Sequence, residues 1–422
     1  MNKAESESLM LALAEDGWSA GDSEEEADLV ILNTCSVRET AEERIRGRLG
    51  FYRHAKRTRP FTLVLTGCMA ERLKERITEE FPEVDAVVGT FQKRDIVSAI
   101  RRVESRDTPV VLADERKYSF AKAHSSTGVK AFVPIMHGCD NFCAYCIVPY
   151  VRGPEVSRHP LEILGEIRML VERGVREITL LGQNVNSYRH DSGNAHLSFP
   201  GLLRLIQEEG GSIRWIRFLT SHPKDLSDEL LDVMAGSSRF CRHVHLPLQS
   251  GSTRILGAMR RGYTAERYLA LVETIRRVLS GASITTDILI GFPGETEEDF
   301  KDTLGLMERV GFDDAFTYHY NPREGTPAFR MPGTVPDEVK QERLAAVIEA
   351  QRAISEKKAR ARVGQEVEVL VEGISRKSSG ELLARTEWDS MVVFPGPRAR
   401  VGGFARVRLT ELSGNTFRAV RV

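Results

Sequence analysis

No apolar run in this 422-residue chain approaches the roughly 20 residues that a helix needs to cross a bilayer. The first 28 residues hold nine carboxylates and a single lysine, unlike the basic, then apolar layout of a secretory signal. The expectation is a cytoplasmic protein with no membrane partner. An excess of charge of either sign is also missing: 59 Lys and Arg stand against 60 Asp and Glu, a net charge of -1. No overall positive field recruits a polyanion, and any nucleic-acid surface has to be local. Cysteine is scarce as well. Six thiols in a chain of this size and compartment argue against a disulfide framework and for metal or redox chemistry.

The length exceeds what one core usually organises and predicts two or three domains. In residues 1–105, "DLVILNTC", "FTLVLTGC" and "VDAVVGT" are short β-branched runs, each followed by a charged helical stretch. That alternation predicts parallel βαβ units, an N-terminal Rossmann-like α/β domain. Its first helical segment, "ESESLMLALAEDGW", has no strand before it. A polar, turn-rich link from about Glu104 to Lys130 leads to a second alternation over residues 125–362, with strands in "AFVPIM", "REITLLGQN", "IRWIRFLTS", "HVHLPLQS", "SITTDILIGF" and "DAFTYHYNP". Six strand–helix repeats predict a partial (β/α)6 barrel with its chemistry at the C-terminal ends of the strands. A long helical run then gives way to period-two runs in residues 363–422, which predict a small β-barrel of the nucleic-acid-binding sort.

The segment "HGCDNFCAYCIVPYVRG" places Cys139, Cys143 and Cys146 in one loop directly after the first barrel strand. Thiolates spaced C-x3-C-x2-C can each hold one iron of a 4Fe-4S cubane and leave the fourth iron open. The alternatives are a zinc site completed by His137, or inert buried thiols. Tyr145 suits packing beside a nucleoside, or ordinary core. Cys35 and Cys68 each end a predicted strand and open a helix, so they converge on one crevice, where helix N-termini favour thiolate. Two ligands are too few for a cluster, so a third is expected on a neighbouring strand; the alternative is a pair of structural cysteines. Cys241, leading into a barrel strand, reads as structural. Arg38, Arg44, Arg46 and Arg48, with Lys357, Lys358, Arg360 and Arg362, could touch phosphates or form solvated helix faces.

Seven stretches resemble the radical S-adenosylmethionine (SAM) methylthiotransferases: "NTCSVRE" at 33–39, "TGCMAER" at 66–72, "GCDNFCAYCIVPYVRGPEVSR" at 138–158, "LLGQNVNSY" at 180–188, "HLPLQSGS" at 245–252, "RRGYT" at 260–264 and "GFPGETEEDF" at 291–300. The C-terminal part resembles the RNA-binding TRAM barrel of that family. Details of the first, fourth and fifth stretches are similar to the branch that acts on N(6)-dimethylallyladenosine beside the tRNA anticodon. Sibling branches act on threonylcarbamoyladenosine or on a ribosomal-protein aspartate.

The resemblance implies two 4Fe-4S clusters, one on Cys139, Cys143 and Cys146 that cleaves SAM, and one in the N-terminal domain on Cys35 and Cys68 that supplies a methylated sulfur. It implies SAM contacts from Gln183, Asn184 and Asp287 with the turn after it, although loop capping and tight-turn chemistry would explain these equally. It also implies a tRNA anticodon stem-loop as partner and a low-potential electron donor such as flavodoxin or ferredoxin. The family carries a further cysteine at the end of a first strand that this sequence lacks, so a truncated or misassigned start is expected, with poor filling of the N-terminal cluster. A rival reading is a non-catalytic, metal-containing RNA-binding protein.

Overall fold

The computed structural model describes residues 1–36, 39–105, 109–112, 118, 120, 128–192 and 195–422. The chain divides into two compact units, one of Met1–His124, Met136–Phe142 and Cys146–Val156, the other of Ser125–Ile135, Cys143–Tyr145 and Ser157–Val422.

In the first unit the strands Leu29–Thr34, Thr62–Gly67, Ala86–Val88 and Val110–Leu112 lie side by side in chain order, all parallel. Alternation along Thr62–Gly67 sends Leu63 and Leu65 into one core with Leu49, Tyr52, Met69 and Ile77, and Val64 into another with Leu9, Ile96 and Ile100. The sheet is thus covered on both faces, as a parallel sheet requires. Two expectations need correcting. Val110–Leu112 is a strand inside what reads as a polar link; three apolar residues are too few to show a period, and pairing with Ala86–Val88 makes the strand. The stretch after Cys68 is two helices, Cys68–Leu73 and Glu75–Glu80, because Lys74 takes φ 48° and breaks the ladder.

In the second unit the six expected strands form as two parallel triplets. Lys130–Pro134, Glu177–Leu181 and Trp215–Phe218 make one, and His243–His245, Ser283–Ile290 and Asp314–His319 the other. A parallel bridge from Ile216 to Phe240 joins the first triplet to the approach of the second. The loops after these strands end in helix caps: the side chains of Ser227, Ser252 and Thr296 each accept a backbone N–H of the following helix, and Thr296 forms a full capping box with Asp299. Such caps fix where each loop stops and its helix begins.

Five strands from Glu366–Ile374 to Thr416–Arg421 close a small barrel. It is docked within the same unit. Leu370 and Phe404 pack on Trp215 and Cys241, and the Arg217 guanidinium donates to the carbonyls of Thr386 (2.6 Å) and Glu387 (2.7 Å). The fold is the expected α/β sheet, partial barrel and terminal β-barrel. Among the described residues no helix is long and apolar enough to cross a membrane.

Candidate active site

The centre of the cysteine loop is held by its backbone to the barrel's C-terminal end. The Ala144 N–H donates to the Met259 carbonyl at 2.9 Å, and the Ala144 carbonyl accepts from the Ala328 N–H at 2.8 Å. Ala144 is packed among Ile255, Met259, Leu289, Phe292 and Tyr320. Cys143, on one side, is buried, and Arg261 Nη1 donates to its sulfur at 3.3 Å; the same nitrogen reaches the Tyr145 hydroxyl, on the other side, at 3.4 Å.

The start of the loop belongs to the first unit. Gly138 takes φ 79°, and a Cβ there would sit 1.9 Å from the Pro154 carbonyl oxygen, so only glycine fits. This lets the Cys139 N–H reach the Gly153 carbonyl at 3.2 Å, while Asn141 Nδ2 points at the Cys139 sulfur from 3.5 Å. None of the six cysteines is in a disulfide. As the side chains stand, no three His, Cys, Asp or Glu among the described residues form a set that could hold a metal ion. The donor chemistry nevertheless suits an iron–sulfur cluster: three thiols outside any disulfide in one loop, two of them with N–H groups aimed at sulfur, which favours the thiolate.

At the strand ends several buried polar atoms have no partner among the described residues: Gln183 Oε1, both amide atoms of Asn186, Ser221 Oγ, His222 Nε2, His319 Nδ1 and the Tyr320 hydroxyl. Buried polar atoms in folded proteins are normally satisfied, so this set suits a polar ligand. Asn184 differs from its neighbour Gln183. Its Nδ2 donates to Asp225 at 2.7 Å and its Oδ1 accepts the His222 N–H at 3.0 Å, so its amide ties two strand-end loops together. Asp287 lies 3.4 Å from His245 Nε2. The turn that follows is capped internally, with Glu295 accepting the Gly291 N–H and pairing with Arg343, both at 2.9 Å. Burial, then the nearby Arg261 and Lys224, push His222 down to about 2, and burial pushes His243 down to about 4. Both imidazoles are neutral hydrogen-bonding groups near pH 7.

In the first unit the register pairs Thr34 with Gly67, so Cys35 and Cys68 follow at adjacent strand ends. Gly67 is required there, since a Cβ would meet the Thr34 carbonyl at 2.4 Å. Cys68 is packed against Ile147 and Val151. The helix it opens has six residues, too short to supply the dipole expected to favour thiolate. The neighbouring strand Ala86–Val88 runs into Gly89 and Thr90 rather than a third cysteine. Two thiols do not complete the ligand set of a cubane, so this edge does not fit one.

Sequence reasoning missed a buried charge network in this unit. Glu5 accepts from Arg152 Nη1 at 2.7 Å and from Lys93, which also donates to Asn33 Oδ1 at 3.1 Å. Burial opposes the Glu5 carboxylate, but Arg152 and Lys93 outweigh it and hold its pKa well below the usual range. His137 meets Arg152 at 3.3 Å and stacks on Tyr118 at 3.4 Å, a core histidine. Cys241 is buried beside Trp215 and Leu370, and burial pushes its thiol up, as expected of a structural cysteine.

Most of the cations singled out for phosphate are spent on internal partners. Arg46 pairs with Glu80 and Arg48 with Glu24. Lys358 and Arg362 both pair with Asp313, and Arg360 pairs with Glu356. Arg44 and Lys357 are exposed, and Arg38 lies outside the described residues.

Residues 133–307 match the Radical SAM superfamily, residues 1–89 the Uncharacterized protein family UPF0004, and residues 360–422 the TRAM domain. The tRNA-2-methylthio-N(6)-dimethylallyladenosine synthase of Treponema denticola is 49% identical over 437 aligned residues, covering 99% of this chain and 97% of that protein. The enzyme of the same name from Moorella thermoacetica is 44% identical over 417, covering 97% and 94%. Among solved structures, the radical SAM methyltransferase TsrM of Kitasatospora setae matches with a TM-score of 0.58 at 16% identity, over 77% of this chain and 70% of that one, a likeness of fold. On the length and identity of these matches, the chain belongs to the tRNA-2-methylthio-N(6)-dimethylallyladenosine synthase family within the radical SAM superfamily.

Proposed function

We propose that this chain adds a methylthio group to C2 of N(6)-dimethylallyladenosine in tRNA, with Cys139, Cys143 and Cys146 as the three protein ligands of a 4Fe-4S cluster that works on SAM. The observation that supports this most directly is the pair of N–H donors, Asn141 and Arg261, aimed at the sulfurs of Cys139 and Cys143 in a loop whose centre is pinned at the barrel's C-terminal end. When bound, the cluster and SAM together supply the one-electron chemistry that yields a 5′-deoxyadenosyl radical, strong enough to remove the unactivated C2 hydrogen.

The chain's own residues bind, orient and exclude water. Ala144 fixes the loop backbone, so Cys143 and Tyr145 keep their directions. Gln183 Oε1 and the unpartnered atoms of Asn186 and Ser221 are free to receive polar groups of SAM. His222, held neutral, adds a donor or acceptor without bringing a second positive charge beside Arg261. Asp287, beside His245, is assigned to SAM as well. The small β-barrel is assigned to the anticodon stem-loop.

Cys35 and Cys68 supply only two of the ligands that a second 4Fe-4S cluster would need, so filling of the loop cluster alone is expected. Iron and sulfide analysis after anaerobic reconstitution distinguishes about four irons per chain from about eight. Nucleoside mass spectrometry on prenylated and unprenylated tRNA tests the substrate: methylthiolation of prenylated adenosine is expected, and methylthiolation only of threonylcarbamoyladenosine would overturn it.

A further inference from the structure

We infer that Arg261 is a positioning residue for this cysteine loop, whose guanidinium, bonded to the Cys143 sulfur, makes a cluster held there easier to reduce. The inference rests on the reading of the loop just given. Five arginines are buried among the described residues: Arg152, Arg158, Arg217, Arg261 and Arg343. Four of them meet carboxylates, with Glu5, Glu166, Glu177 and Glu295 as their respective partners. Arg261 alone has no carboxylate partner among the described residues. Its N–H groups go to the Cys143 sulfur (3.3 Å), the Tyr145 hydroxyl (3.4 Å), the Tyr263 hydroxyl (3.2 Å) and the Pro247 carbonyl (3.0 Å).

A buried cation without a counter-charge is costly. Of its four partners, only the sulfur carries negative charge under ordinary conditions, and it does so as a metal-bound thiolate. The guanidinium is also held in place. Tyr263, which accepts from Arg261 Nε, donates to the Leu248 carbonyl at 2.8 Å, and its ring lies 5.4 Å below the guanidinium carbon. One turn serves both purposes, since the Met259 carbonyl holds the Ala144 N–H while Arg261, two residues on, holds the adjacent sulfur.

A 4Fe-4S cluster on three thiolates is anionic, and one-electron reduction adds a further negative charge with no bond broken and no proton moved. The electron comes from a low-potential one-electron reductant. A fixed cation and an N–H donated to a ligand sulfur stabilise the reduced form more than the oxidised one, which raises the midpoint potential.

The test reconstitutes the full chain, R261Q and R261K anaerobically, counts iron and sulfide, and follows the cluster's EPR signal during titration with dithionite and mediators without SAM. R261Q is expected to load the cluster with its midpoint displaced to more negative potential, and R261K to fall between R261Q and the parent chain. Loaded R261Q with the parent midpoint overturns the inference, even if SAM cleavage drops, because the arginine would then serve the cofactor rather than the sulfur. Should R261Q fail to load, R261K decides: a displaced midpoint supports the inference and an unchanged one overturns it. A parent chain that binds no iron on this loop overturns both the inference and the reading beneath it.

Discussion

Cys68 and Cys143 are both buried, both sit at the C-terminal end of a parallel strand system, and both have a buried arginine nearby, yet their surroundings differ in kind. Beside Cys68 the cation is already neutralised: Arg152 pairs with Glu5, and Lys93 adds to the same carboxylate. Beside Cys143 the cation has, among the described residues, only neutral oxygens and the sulfur itself. A closed charge network stabilises a fold and asks nothing of a neighbouring thiol. An open one sets a requirement on the charge that the thiol will carry. The difference is a guide to which buried cysteine works through its charge, and it appears only when the partners of each cation are counted.

The largest expected effect breaks the comparison outright. Cys143→Ala should bring 5′-deoxyadenosine formation to background, measured by chromatography, with a matching loss of iron. Cys241→Ala, by contrast, should keep both and cost about 1 kcal/mol of stability.

Removing residues 363–422 comes next. It uncovers Trp215 and strips Arg217 of two carbonyl acceptors, so the remainder should lose about 3 kcal/mol or more, seen as a lower melting temperature alongside weaker tRNA binding at matched salt. An unchanged melting temperature would show that the docking contributes nothing.

Glu5→Gln sharpens the contrast from the other side. It leaves Arg152 and Lys93 buried without their counter-charge and should cost about 3 kcal/mol in urea unfolding. The same carboxylate sets an acid limit. Glu5 titrates lower in the folded chain than its ordinary 4.5, so its contribution is complete above that pH and is lost as pH falls below it towards the folded value. Glu5→Gln should flatten that part of the stability profile.

The smallest pair separates binding from capping. Asn184→Ala loses two loop-to-loop hydrogen bonds and should cost about 1–2 kcal/mol. Gln183→Ala loses none at its buried oxygen, should leave stability unchanged, and should raise the KM for SAM.

Much of this was legible in order along the chain. The runs "DLVILNTC" and "FTLVLTGC" became adjacent parallel strands, the six barrel strands formed where the alternation placed them, and the period-two tail closed into a barrel. These succeed because hydrophobic periodicity is a local property that burial then enforces. Sequence reasoning missed what periodicity does not carry. Lys74 breaks a helix that the pattern continues, and Val110–Leu112 is a strand only because a neighbour pairs with it.

By itself, then, the sequence determined the order of the main strands, the spacing of the thiols in the loop and the closing of the terminal barrel. Tertiary structure alone decided which charges meet. Arg261 reaches Cys143 across 118 positions and Arg152 reaches Glu5 across 147. It also gave Lys358 and Arg362 a shared carboxylate partner in Asp313. The physical reason is that a buried charge is stable only beside a partner, and partners are found by distance in the folded chain, which no spacing along the sequence encodes.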